Sequence, residues 1–141
     1  MKDWKKPFDI LELESHVDER GFLFEVIRFD DFNIPSGGQV YTFSIEPSKR
    51  RGDHYHLKKE EWFTCVHGKA IILLSSLSGE EKIIEIDSEK PVLVYAGVGT
   101  SHALINKTNE IAIIVSYGSK QHDPEDIDTY RMVACKDTYK F

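Results

Sequence analysis

The chain has 141 residues with 24 acidic and 18 basic side chains, a net charge of −6 with histidines neutral, and this length fits one ordinary domain. Hydrophobic residues make up 40% and aromatics 11%, enough for one packed core, which excludes disorder as the main state. The acidic balance excludes the basic face that a phosphate backbone requires, and no run of about 18 apolar residues is present to span a membrane, so neither nucleic acid nor a membrane is an expected partner.

The segment from Met1 to Pro7 is charged and has no apolar stretch before a cleavage site, and Cys65 and Cys135 do not form the spaced framework of a small secreted fold. A cytoplasmic protein with reduced thiols is therefore expected. Along the chain, runs rich in Val, Ile, Phe and Tyr predict strands over 8–14, 21–28, 40–46, 52–56, 61–66, 70–77, 82–86, 92–96, 102–105 and 111–117. Pro35-Ser36-Gly37-Gly38, His67-Gly68, Ser78-Gly79, Gly97-Val98-Gly99 and Asn106 to Asn109 supply turn chemistry between them. About ten short strands with tight turns predict an all-β sandwich or closed barrel. Helix signals are scarce; Asp123-Pro124-Glu125-Asp126 offers one short turn, with Pro124 at its first position. No linker or repeat divides the sequence, so residues 1–141 are read as a single domain, with an N-terminal strand or arm over 1–17 and a tail over 121–141 expected across an end of the barrel.

The chemistry concentrates in Arg51-Gly52-Asp53-His54-Tyr55-His56-Leu57-Lys58-Lys59-Glu60-Glu61. Side chains at i and i+2 of a strand share a face, so His54 and His56 point together. A turn through 57–60 starts the next strand beside them at Glu61, and His102 follows Gly99-Thr100-Ser101 far along the chain. Three imidazoles and a carboxylate make a plausible ligand set for a divalent transition metal. His16, His67 and His122 lack such neighbours and are read as solvated.

The pattern His54-x-His56, Glu61, Gly68, then Gly99-x-x-His102-x-x-x-Asn106, resembles the two signature motifs of the cupin superfamily, with Gly97 where the second motif usually has proline. The resemblance implies a double-stranded β-helix, a jelly-roll barrel, and the metal set His54, His56, Glu61 and His102, with Glu60 as a rival to Glu61. Two further stretches narrow it. Asp18-Glu19-Arg20-Gly21-Phe22-Leu23-Phe24-Glu25 and Arg51-Gly52-Asp53-His54-Tyr55 resemble motifs of the dTDP-4-dehydrorhamnose 3,5-epimerases. The stretch from Gly52 to Gly68, with Asp123 to Tyr130, resembles more closely the C-terminal cupin domain of capsular enzymes that epimerise and reduce a UDP-linked 4-keto sugar, and also the TDP-4-oxo-6-deoxyglucose ketoisomerases.

These resemblances imply an isomerase acting on a nucleotide-diphosphate 4-keto-6-deoxyhexose in cell-surface polysaccharide biosynthesis. A 4-keto group acidifies the C3 proton, and histidine is the natural base near neutral pH. The expected base is His54, with His56 beside it and Lys58 assisting the enolate. Tyr117 is the preferred acid, with Tyr41, Tyr55 and Tyr95 as alternatives and Tyr41 also expected to touch substrate. Arg20 and Arg51 are the diphosphate clamp by resemblance. A divalent metal, zinc first and iron or manganese next, is the expected cofactor, with no organic one. A ring nitrogen bound to a metal cannot also take a proton, so His54 serves as base or as ligand. The family resemblance implies a homodimer, with residues 8–14 crossing to the partner, and a separate reductase or transferase in the pathway. A metal-dependent dioxygenase and a non-catalytic sugar-binding cupin are the competing readings.

Overall fold

A computed structural model describes residues 2–141, and every regular element in it is a strand: β1 Phe8–Glu12, β2 Ser15–Asp18, β3 Gly21–Phe24, β4 Gln39–Ile45, β5 Arg50–Tyr55, β6 Glu61–His67, β7 Lys69–Ser76, β8 Glu81–Asp87, β9 Val92–Ala96, β10 Thr100–Ile105, β11 Ala112–Gly118 and β12 Tyr130–Arg131. One five-stranded sheet runs β1-β9-β6-β11-β4 and the other β12-β5-β10-β7-β8, with β2 and β3 as a separate hairpin. All pairings are antiparallel. This is the jelly-roll barrel that the sequence implies.

The alternation of each strand sorts its residues between layers. Facing inward, Ile45, Phe63, Cys65, Ile72, Leu74, Ile86, Val94, Leu104 and Ile114 fill the space between the sheets. Each large aliphatic side chain buried there stabilises the fold by about 1.5–3 kcal/mol. The outer face of the first sheet is covered by Trp4, Leu11 and Leu13 from the N-terminus and by Val26, Ile27, Phe29, Phe32 and Ile34, packed on Trp62, Leu93, Tyr95 and Tyr117. The outer face of the second sheet is covered by Ala134, Cys135 and Tyr139, packed on Leu73, Ala103 and Ile105.

Several expectations are corrected. Segment 8–14 is strand only to Glu12, and β1 pairs with β9 of its own sheet, Phe8 opposite Ala96. Gly97 holds that pairing, because its N–H donates to the Pro7 carbonyl at 2.9 Å, a bond that proline at 97 has no proton to make. Strand 21–28 stops at Phe24, since Val26, Ile27 and Phe29 turn onto the outer face of the first sheet. The tail adds β12 to the edge of the second sheet and then lies along its face. Asp123 to Asp126 makes only a turn, closed by the Asp126 N–H on the Asp123 carbonyl at 3.1 Å. Strands β2 and β12 were not expected; both are short and mostly exposed, so neither carries an apolar alternation. Cys65 and Cys135 are both buried and unpaired, and burial pushes the Cys65 thiol up to about 11.

Candidate active site

A pocket of about 290 Å³ opens between the sheets, lined by Tyr41, Phe43, Arg51, Gly52, His54, Phe63, His102 and Leu104. Its geometry begins with a β-bulge. Strand β5 faces β10 with Arg51 opposite Leu104, Gly52 opposite Ala103 and His54 opposite His102, so Asp53 is the extra residue. Gly52 has φ +99°, and a Cβ there would sit 2.5 Å from the His102 carbonyl oxygen. Only glycine tolerates that approach. Asp53 also stands at positive φ, 64°, and its carboxylate is tied down by Arg50 at 2.7 Å and the Ala134 N–H at 3.0 Å. With one residue looped out, Arg51 and His54 share the inner face although they are three apart in sequence.

Beyond the end of β5 the buried His56 turns inward, and Glu61, at the start of β6, meets it. The Nε2 of His56 is 2.6 Å from Oε1 of Glu61, and the Nε2 of His102 is 3.4 Å from the same oxygen. The ligand nitrogens of His54, His56 and His102 lie within 4.8 Å of one another. Oε2 of Glu61 accepts the Tyr41 hydroxyl. Glu60 is excluded from the cluster by alternation: its carboxylate accepts the hydroxyl of Tyr95, which packs in the outer aromatic layer.

Burial pushes His102 down to about 4, even though the Glu61 charge pulls upward. His54 is lowered as well, first by burial and then by the neighbouring His56. For Glu61, burial opposes ionisation, but His102, His56 and the Tyr41 hydroxyl outweigh it and hold the carboxyl at about 2. Tyr41 is raised far above the ordinary phenol, by burial first and then by the Glu61 charge, so it keeps its proton. At neutral pH the site therefore presents neutral His54 and His102 imidazoles, one carboxylate and one phenol.

The residues fit a divalent ion. The Nδ1 of His56 donates to the Asp128 carbonyl, which turns the Nε2 lone pair of a neutral ring toward Oε1 of Glu61. Two such acceptors 2.6 Å apart require a proton or a metal cation between them. Oε1 of Glu61 and Nδ1 of His102 are also buried without a hydrogen-bond partner.

The remaining expected residues scatter. Tyr117 is buried on the outer face of the first sheet, where its hydroxyl donates to the Pro35 carbonyl and accepts the Gly38 N–H at 3.1 Å, so the structure does not bring it to the histidines. Tyr55 stacks on Tyr130 at 5.3 Å. Lys58 is exposed, with Nζ 2.7 Å from Asp126. Arg20 sits at the exposed β2–β3 turn, paired with Asp18, outside the pocket. Arg51 does line the pocket; its Nε donates to the Ser44 carbonyl at 2.8 Å and its guanidinium lies 5.7 Å from the Phe43 ring centre. His16, His67 and His122 are exposed. Phe43, Phe63 and Leu104, which complete the wall, carry no signal in the sequence that separates them from ordinary core residues.

Residues 16–130 match the profile of the polysaccharide biosynthesis C-terminal domain family. A UDP-2-acetamido-2,6-beta-L-arabino-hexul-4-ose reductase of Pseudomonas aeruginosa is 28% identical over 120 residues, covering 84% of this chain and 31% of its own length. The chain thus spans about a third of that relative. Among solved structures, a double mutant of ChmJ, a 3'-monoepimerase from Streptomyces bikiniensis in complex with dTDP, superposes with a TM-score of 0.79 at 20% identity over 93% of this chain and 72% of the other. QdtA, a sugar 3,4-ketoisomerase from Thermoanaerobacterium thermosaccharolyticum in complex with TDP, gives 0.74 at 23% identity, over 89% and 88%. At these identities the two likenesses establish the fold.

Proposed function

The chain belongs to the polysaccharide biosynthesis C-terminal domain family, and from that premise we propose that it is a nucleotide-sugar isomerase that removes the C3 proton of a nucleotide-diphosphate 4-keto-6-deoxyhexose, as an epimerase or a 3,4-ketoisomerase. One observation carries the reading: a neutral imidazole, His54, opens on a pocket that also holds a protonated phenol, Tyr41, and a guanidinium, Arg51. That the solved relatives of the same fold are named as a sugar 3'-monoepimerase and a sugar 3,4-ketoisomerase supports it.

His54 takes the C3 proton. Its lowered pKa keeps the nitrogen free to accept at neutral pH. Tyr41 takes the acid role expected of Tyr117, because it lines the pocket and keeps its proton beside the Glu61 carboxylate. Delivery of a proton to the opposite face of C3 inverts that centre, whereas delivery to C4 of the enediol gives the 3-keto isomer. Arg51 holds the diphosphate with paired donors, and Phe43 and Leu104 shield the sugar ring from water. His56, His102 and Glu61 would hold a zinc ion as three protein ligands, leaving His54 free. Such an ion would polarise the keto oxygen as a Lewis acid. The same reading takes the protein as a cytoplasmic homodimer whose product passes to a separate reductase or transferase.

The test is proton exchange. Incubated in deuterated water with dTDP- and UDP-linked 4-keto-6-deoxyhexoses, the protein should erase the C3 proton signal of one of them. His54→Ala should slow that loss at least about 100-fold while nucleotide binding persists. No exchange with either nucleotide would overturn the reading, and undiminished exchange in His54→Ala would remove His54 as the base.

A further inference from the structure

The stretch from Asp123 to Tyr130 stands out in the sequence but supplies no side chain to the pocket. One of its residues nevertheless reaches the site. His56 lies past the end of β5, where its carbonyl accepts the Gly99 N–H at 2.7 Å but no strand pairing sets the direction of its ring. Its Nδ1 is held instead by the main-chain carbonyl of Asp128, 72 residues away. A carbonyl only accepts, so His56 must carry a proton on Nδ1 whether or not Nε2 is protonated too, and Nε2 faces Glu61 and the cluster.

That carbonyl is itself anchored. The half-buried Asp128 carboxylate forks over the loop that follows His56, with Oδ1 accepting the Leu57 N–H and Oδ2 accepting the Lys58 N–H, each at 2.8 Å. Just beyond, β12 pairs Tyr130 with Tyr55 and Arg131 with His54, and the Met132 N–H donates to the Asp53 carbonyl at 2.9 Å. Asp128 therefore grips both sides of His56: its side chain holds the main chain after the histidine, and its carbonyl holds the ring. The adjoining Lys58–Asp126 pair is exposed and adds little.

We infer that Asp128 is a positioning residue that fixes His56 with its proton on Nδ1 and its Nε2 aimed at Glu61 and His102, so that the C-terminal tail sets the geometry of the histidine cluster. The inference rests on the proposed function only in taking that cluster as the working site. Its test does not depend on turnover.

Long-range proton–nitrogen spectra of the full-length, metal-free protein with labelled histidines, recorded at pH 9, should show His56 protonated at Nδ1. The proton found on Nε2 alone in the wild-type protein would overturn the inference without any variant. In Asp128→Ala the Nδ1 proton signal of His56 should lose its hydrogen-bonded shift, and zinc affinity, read by competition with a chromophoric chelator, should fall about 10–100-fold. Asp128→Asn keeps one acceptor and should fall between wild type and Asp128→Ala, and it stands in if the alanine variant does not fold. Asp126→Ala should match wild type in both readouts. If Asp128→Ala merely melts earlier, with the His56 spectrum and zinc affinity unchanged, Asp128 is structural and the inference fails. If both readouts move while no sugar exchanges its C3 proton, the inference stands and the proposed function falls.

Discussion

Glu60 and Glu61 are neighbours in sequence, and each accepts a hydrogen bond from a tyrosine, yet they belong to different parts of the molecule. Glu61 points between the sheets, where Tyr41, His56 and His102 surround it, and is held ionised in spite of burial. Glu60 points outward, where Tyr95 sits among Trp4 and Trp62. The chemical pair is the same in both places. What differs is the company: imidazoles facing a pocket on one side, and a closed aromatic layer on the other. The same carboxylate–phenol pair thus sits in two settings, and only the inner one faces a pocket and the histidines.

Glu61→Gln should break this contrast most severely. Removing the charge takes away the group on which His56 and His102 converge, so C3 exchange should fall by about 1,000-fold or more and zinc should no longer be retained. Glu60→Gln keeps an acceptor for Tyr95 and should leave both unchanged; comparable losses in the two variants, measured by exchange and metal analysis, would show that the two sides are not distinct.

The tyrosines sharpen it at a smaller scale. Tyr41→Phe should slow formation of the epimer or 3-keto product by about 10–100-fold with little change in melting temperature, as expected for loss of a proton donor, while C3 exchange through His54 persists. Tyr95→Phe leaves the Glu60 carboxylate without its donor and should lower stability by about 1–3 kcal/mol, read by urea unfolding, with product formation unchanged. An inverted pattern would move the acid to the outer face.

The smallest effect is the dependence of stability on pH. His102 has a folded value of about 4 against its ordinary 6.5, and Glu61 about 2 against 4.5. In both cases the folded state binds fewer protons than the unfolded chain between the paired values, so metal-free protein should lose stability as the pH falls from 6.5 toward 2. His102→Gln should flatten the upper part of that slope in urea titrations, and a slope that persists unchanged would place its origin elsewhere.

Much of this molecule was legible in its residues. Period-two runs and turn glycines pointed to an all-β sandwich or barrel, alternation put His54 and His56 on one face, and the motif resemblance added His102 with either Glu61 or Glu60. The choice of Glu61 over Glu60 was not local. It followed from the pairing of Glu61 with Ala96 and Gly118, which decides the face that each residue of β6 presents. Arg51 and His54 came together only through the bulge at Asp53, where Gly52 lies against the His102 backbone of another strand. Tyr41 lines the pocket and Tyr117 does not, because inner and outer positions of β4 and β11 are set by which layer packs on each side. The Asp128 carbonyl on His56 is a main-chain contact across 72 residues, to which no side-chain pattern points. Sequence spacing fixes which side chains share a face within one strand; long-range pairing and the layers packed on each sheet decide which face looks into the site.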